Sequence, residues 1–322
     1  MTEERYFGWM VKSEGTERAF DIGIASDPLP SEVLEEFEEI VGAVCKLRPT
    51  LIDYKVLLDD YTAIERLPNE LRQIFGDDAL ILLELGNKSV EMHSICERRL
   101  SAFLNAASAL RDRALGRMTE SGIDIKEFKE FLSSAYDKSF AYRLYYNLRN
   151  MSQHQGSPLW IIPINGEGED GYLEFKFDLS FGRDDLMQRG RKFQSKLRKE
   201  LPHCEEKIPL LSTAREYYAY LIGACAVSVV AQYPDFNRAV EYQKIVRRIH
   251  GNMPQNATPF IFHGKPVIQQ GVQQNSSVTC FSFEEVNMIV RLLSEALEYG
   301  IELRKVVGNP SGEQTISESA TE

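Results

Sequence analysis

Residues Ser89 to Arg117 read SVEMHSICERRLSAFLNAASALRDRALGR. Ile95, Leu100, Phe103, Leu104, Ala107, Leu110 and Leu115 recur there at helical spacings, which predicts the longest helix of the chain. Gly116 and Gly122 place its end near Met118. Downstream, Asp124 is suited to cap another helix. Glu127 stands in the box position, and Ile125, Phe128, Phe131 and Leu132 form an apolar side. A helical return from Tyr136 carries Phe140, Leu144 and Leu148 and stops before Gly156 and Pro158. Upstream, Ser31 is the expected cap of a helix striped by Leu34, Phe37, Val41 and Val44. Pro49 is expected to interrupt it, and a second helix over Leu51 to Arg66 is expected to end near Pro68. A strand is expected over Ala19 to Ile24.

The period changes after Pro158. Leu159 to Ile164 and Tyr172 to Leu179 read as two strands, the second alternating apolar and polar residues. Asp184 to Lys199, Thr213 to Gln232, Phe236 to His250 and Phe283 to Val306 return to helix. Phe260 to His263 and Pro266 to Gln270 predict a small hairpin around Gly264-Lys265. The expected architecture is mostly α, a helical bundle with small β-hairpin elements and additional terminal helices. Its expected parts are a mixed, helical region 1–86, a helical core 87–250 with a β insertion near 159–179, a hairpin and helix over 251–307, and a mobile tail 308–322.

Composition bounds the function. The 322 residues are 43 % hydrophobic and 26 % charged, enough for a sizeable core and unlike a disordered chain. The net charge of −11 excludes a generally basic coat for nucleic acid, though not a local site. Met1 to Phe20 shows no secretory apolar segment. Leu221 to Ala231, the best apolar run, is about half the length of a spanning helix. Five cysteines at irregular spacing suit reduced thiols. The expectation is a cytoplasmic protein that neither crosses nor binds a membrane.

The strongest chemical signal is YYNLRNMSQHQG, Tyr145 to Gly156. Helical geometry puts Asn147, Asn150 and His154 along one face. Arg149 lies on an adjacent face, about 7.5 Å along the axis and roughly 140° around it from His154. A facing helix, or a second copy across a twofold axis, is needed to focus both side chains on one atom. Together they suit RNA cleavage. A histidine can take the proton of a ribose 2′-hydroxyl, and arginine can stabilise charge gathering on the phosphate. Asn150 can orient the histidine or hold a phosphate. No metal is needed in that scheme.

This segment resembles the Arg-x4–6-His motif of the HEPN superfamily, with Arg149 and His154 as the pair and Asn150 as the polar residue after the arginine. The resemblance covers about Ser89 to His154. It implies a compact helical bundle, metal-independent endoribonuclease activity, a homodimer with two motifs in one cleft, and a toxin–antitoxin, antiviral defence or stress setting with an antitoxin or defence-system protein as partner. Some members bind without cleaving, so a noncatalytic nucleotide- or protein-binding module, or a structural partner in a defence assembly, is the alternative.

Other residues have two readings each. Tyr145 and Tyr146 can stack RNA bases or pack in a core. Asn147 can contact RNA or satisfy a buried polar group. Arg149 can be a solvated cation, and His154 a cap on helix-end carbonyls. Glu91 and Glu97 are candidates to orient Arg149 or His154. Between Arg183 and Lys199 the local charge is +5. Arg183, Arg189, Arg191, Lys192 and Lys196 there are candidate RNA guides, or the wet side of a helix. His203-Cys204-Glu205 lacks the paired spacing of a zinc site, and no phosphate loop or dinucleotide fingerprint is present, so neither metal nor cofactor is expected.

Overall fold

The computed structural model describes residues 4–12, 20–75, 81–156, 159–167, 173–249, 254, 257–263, 268–269, 272–273, 278–280 and 283–301. In chain order the elements are β1 (Arg5–Lys12), β2 (Phe20–Pro28), α1 (Ser31–Phe75), α2 (Ile81–Glu120), α3 (Lys126–Lys138), α4 (Phe140–Gln155), β3 (Leu159–Glu167), β4 (Leu173–Gly182), α5 (Arg183–Arg189) and α6 (Ser195–Glu200). They continue with β5 (Lys207–Pro209), α7 (Leu210–Gln232), α8 (Phe236–Ile249), β6 (Thr258–His263), β7 (Ile268–Gln269), β8 (Val272–Gln273), β9 (Val278–Cys280) and α9 (Phe283–Glu298). The chain is mostly α-helical, as its periodicity requires. The expected tail 308–322 lies outside the described residues.

Pro49 and Pro68 do not stop α1, contrary to the expectation from sequence. Leu47, Leu51, Tyr54, Leu57, Tyr61, Ile64, Leu67 and Leu71 form one buried stripe through both prolines, at steps of three and four. An interior proline costs a helix about 3 kcal/mol. Each fully buried large side chain returns about 1.5–3 kcal/mol, so packing prevails.

The chain divides into two compact units. Among the described residues, one draws on Met1–Leu51 and Val229–Ser294, the other on Ile52–Ser228 and Glu295–Gly308. The division falls within α1, α7 and α9, where no composition shift marks it. In the first unit the antiparallel sheet has the order β2-β1-β6-β9. Phe260–His263 pairs with β1, with Phe7 opposite Ile261, and not in a hairpin around Gly264-Lys265. Phe7 and Ile261 share a core with Phe37, Ile40, Tyr242 and Val286. Arg48 pairs with Glu285 at its edge.

The second unit contains the sheet β3-β4-β5 and the helices around α2 and α4. The hairpin expected after Pro158 forms, with Ile161 opposite Leu179. Asp184–Lys199 is not one helix. It breaks at Gly190, where a Cβ would stand 2.4 Å from both the Phe193 ring and the Leu186 carbonyl oxygen. Leu221 to Ser228 of α7 is buried on all sides, and burial pushes the Cys225 thiol up to about 12. No described helix is long and apolar enough to cross a membrane.

The centre of this unit is aromatic. Tyr145 and Tyr217 stack with centroids 5.0 Å apart, Tyr61 and Tyr218 at 3.9 Å, and Phe103 meets Tyr61, Tyr145 and Tyr217 at about 6 Å. Burial raises the phenol pKa of all four tyrosines. The folded state keeps the phenols neutral, while the unfolded chain ionises near 10. Their contribution to stability is therefore fully present below about pH 10 and lost as pH rises above it. In an alkaline titration, phenolate absorbance from these rings is expected to appear together with loss of helical circular dichroism. Complete tyrosine ionisation near pH 10 with the helices intact would contradict the packing.

Candidate functional site

Helix α4 carries the arginine–histidine segment, and its entry is well fixed. Ser139 caps it, accepting from the Tyr142 amide at 2.9 Å and donating its own hydroxyl proton to Glu216 Oε1 at 2.5 Å. One turn on, the buried Arg143 donates to both Glu200 oxygens at 2.8 Å and to the backbone carbonyls of Tyr136 and Asp137. It thereby ties α4 to α6 and to the end of α3. Asn147 follows on the same side. It is only 5 % exposed, donates from Nδ2 to the Arg143 carbonyl at 2.8 Å, and accepts the Gln194 amide at 3.0 Å. These contacts use Asn147 to hold the start of α6, so it is a structural residue and not an RNA contact.

Tyr145 is likewise corrected. It is wholly buried in the aromatic core and donates its hydroxyl proton to the Leu210 carbonyl at 3.0 Å, so no base can reach it. Its neighbour points elsewhere. Tyr146, Arg149 and Asn150 line a cleft of about 470 Å³, completed by Ser108 and Arg111 of α2 and Tyr136 of α3. Three of the expected site residues therefore meet in one place, and Arg149 and Asn150 are adjacent within it.

Arg111 was not indicated by the motif. It is 9 % exposed, lies with Cζ 4.8 Å from the Tyr146 ring centre, donates a long 3.5 Å hydrogen bond from Nη2 to Ser108, and interacts with the Tyr142 hydroxyl. The Nε atoms of Arg111 and Arg149 are both buried without a hydrogen-bond partner, as is the Tyr136 hydroxyl. Among the described residues neither arginine forms a salt bridge. The carboxylate in the cleft wall, Asp112, is exposed and accepts from Ser108 at 3.2 Å. A signal for Arg111 does exist in the sequence. It stands seven residues after Leu104 and four before Leu115, a cation inside an apolar stripe.

His154 lies in the last turn of α4; its side chain is outside the described residues. The helix ends at Gly156 with φ of 69°, a backbone conformation that favours glycine. Arg189 donates to the Gly156 carbonyl at 2.7 Å. A Cβ on Gly156 would lie 3.9 Å from both Arg189 Nη2 and Glu97 Oε1. Glu97 thus reaches the end of α4 two residues past His154, whereas Glu91 is exposed about 30 Å along α2 from Arg111 and cannot orient Arg149.

The basic run is divided in its duties. Arg189 serves the negative end of α4. Arg183 donates to Asp184 at 2.8 Å and to the Cys204 carbonyl at 3.2 Å, and Lys196 to the Asp137 carboxylate at 3.0 Å and carbonyl at 2.9 Å. These three hold structure. Arg191 and Lys192 in the turn after Gly190 are exposed and make no pair among the described residues.

Comparison with protein-family models, curated proteins and solved structures gives no match for this chain. The functional reading therefore rests on the residues and their geometry.

Proposed function

We propose that the protein is a metal-independent endoribonuclease of HEPN type, acting in the cytoplasm as a homodimer in a defence or stress response. The observation that carries the reading is Arg149, whose partnerless guanidinium Nε lies in an open cleft beside Asn150 on the helix that also bears His154. Arginine stays protonated at all relevant pH and presents several donors to a phosphate.

In this mechanism the His154 imidazole removes the 2′-hydroxyl proton of ribose. The 2′-oxygen then bonds to the adjacent phosphorus, and the bond from phosphorus to the 5′-oxygen breaks. Arg149 neutralises charge that builds on the non-bridging oxygens, and Asn150 holds the phosphate in place. A protonated histidine of the second copy supplies the proton to the leaving 5′-oxygen. The second copy supplies the facing surface that residues five apart on one helix, pointing in different directions, need to act on one atom. Purified protein is expected to cut pooled cellular RNA in excess chelator, and His154→Ala to reduce that rate at least about 100-fold. Strict dependence on added metal, or full activity of the variant, would overturn the reading. Light scattering is expected to give about twice the chain mass, and a monomer that cleaves at full rate would remove the shared cleft.

Arg191 and Lys192 are the guides that the fold leaves available. Replacing both by alanine is expected to weaken binding to many RNAs alike and to flatten the dependence of log affinity on log salt by about 1.4, two single-strand phosphate contacts. An unchanged slope would take the turn out of the binding surface.

A further inference from the structure

Among the described residues Arg111 forms no salt bridge, the partner that a buried cation ordinarily has. Burying a charged group without a paired counter-charge is strongly unfavourable. Arg111 is nonetheless 9 % exposed, and the groups that hold it are uncharged: the face of Tyr146, the Tyr142 hydroxyl and one long bond to Ser108, with its Nε unpartnered. Arg149 brings a second unpartnered Nε into the same cleft, and the Tyr136 hydroxyl a third unpaired polar atom. The two arginines outweigh Asp112, so the cleft is net positive in a chain whose overall charge is −11. The cleft thus gathers two guanidinium groups whose donors are not used up by carboxylates, which is the chemistry that binds an anion.

We infer that Arg111 and Arg149 clamp one phosphate group of a ribonucleotide, with Arg111 as a phosphate-binding residue that the arginine–histidine motif does not contain. The cleft of about 470 Å³ falls within the range of small-molecule sites and has room for a nucleoside attached to that phosphate. Tyr146, with Arg111 Cζ over its ring at 4.8 Å, and Tyr136, edge-on to Tyr146 at 5.9 Å, form a wall for the sugar and base. The inference rests on the proposed ribonuclease reading only in sharing Arg149; binding of phosphate does not require cleavage.

The probes are inorganic phosphate, a nucleoside 3′-monophosphate and the same nucleoside without phosphate, each added to the purified full chain. Thermal melting and calorimetric titration are the readouts. Both phosphates are expected to raise the melting temperature with concentration, the nucleotide at lower concentration, and the nucleoside to leave it unchanged. Arg111→Met is expected to lose the phosphate response, with affinity at least about 10-fold weaker. In phosphate-free buffer its melting temperature is expected to equal or exceed that of the wild type, since an unpaired buried charge has been removed. A residue that merely supported the fold would lower it. Arg111→Lys keeps the charge without the planar fork and the Nε donor, and is expected to bind about 3- to 10-fold more weakly than wild type.

No phosphate response in the wild type, an unchanged affinity in Arg111→Met, or full wild-type affinity in Arg111→Lys would each overturn the inference. The ribonuclease reading is judged separately, by RNA cleavage in the same preparations. Phosphate binding without cleavage leaves the clamp standing and makes the protein a nucleotide-binding module. Cleavage that survives Arg111→Met unchanged removes the clamp and leaves the motif.

Discussion

Arg149→Ala is expected to slow RNA cleavage at least about 100-fold while leaving the fold intact. The two halves of that expectation have different physical sources. Charge that accumulates on the phosphate oxygens in the transition state loses its stabilising cation, and such donors are commonly worth about 10²–10³ in rate. The folded protein loses little, because Arg149 forms no salt bridge among the described residues and its Nε has no partner to leave behind. The melting temperature is therefore expected to change by no more than a few degrees. Arg149→Lys restores the charge without the fork and is expected to recover only part of the rate. Single-turnover rates measured beside melting curves separate the two effects. Unchanged cleavage, or a loss that follows a large drop in stability, would contradict the assigned role.

Arg143→Ala is the opposite case, a large expected loss of stability at a residue outside the cleft. The Arg143 guanidinium is almost fully buried and holds both oxygens of Glu200 and two backbone carbonyls at the end of α3. Removing it takes a donor from both carbonyls, of which Asp137 keeps Lys196, and leaves Glu200 without its counter-charge. Breaking a fully buried ion pair costs about 3–5 kcal/mol. Glu200 is one-third exposed, so about 2–4 kcal/mol is the appropriate range. In a unit of this size each kcal/mol moves the melting temperature by about 2–4 °C. Denaturant unfolding is the direct measurement, and a loss below about 1 kcal/mol would show that this clamp is not needed. Arg143 also joins α3 to α4, two of the helices that frame the cleft, so partial disorder there would lower RNA affinity without touching the motif.

The contrast between these two arginines, six residues apart on α4, shows what sequence can and cannot say. Both look like helix-borne cations. One is satisfied by partners 57 residues downstream in α6, the other is not, and no local pattern distinguishes them. Helical periodicity located α2, α3 and α4 because those contacts repeat every three or four residues. The hairpin of β3 and β4 was legible because its strands are adjacent in sequence. The sheet of the first unit was not, since β1 pairs with β6 some 250 residues later and neither strand signals its partner. The prolines of α1 misled because the local cost of each is visible in sequence while the buried stripe that outweighs it is a tertiary property. Within the site, Tyr145 and Tyr146 are neighbours of one type with opposite surroundings, core and cleft. Arg111 carried a signal, a charge within an apolar stripe, but only the cleft gives that signal a meaning.

In the proposed reaction a ribose 2′-oxygen is the nucleophile, with Arg149 and His154 assisting it. The most direct measurement uses an RNA with one preferred cleavage position, and a second molecule identical except for a 2′-deoxyribose there. Both are incubated with purified protein in excess chelator, and the new ends are mapped. Cleavage of the first to a 2′,3′-cyclic phosphate and a 5′-hydroxyl is expected, with the second left intact at that position. Equal cleavage of both, or ends bearing a 3′-hydroxyl and a 5′-phosphate, would contradict it.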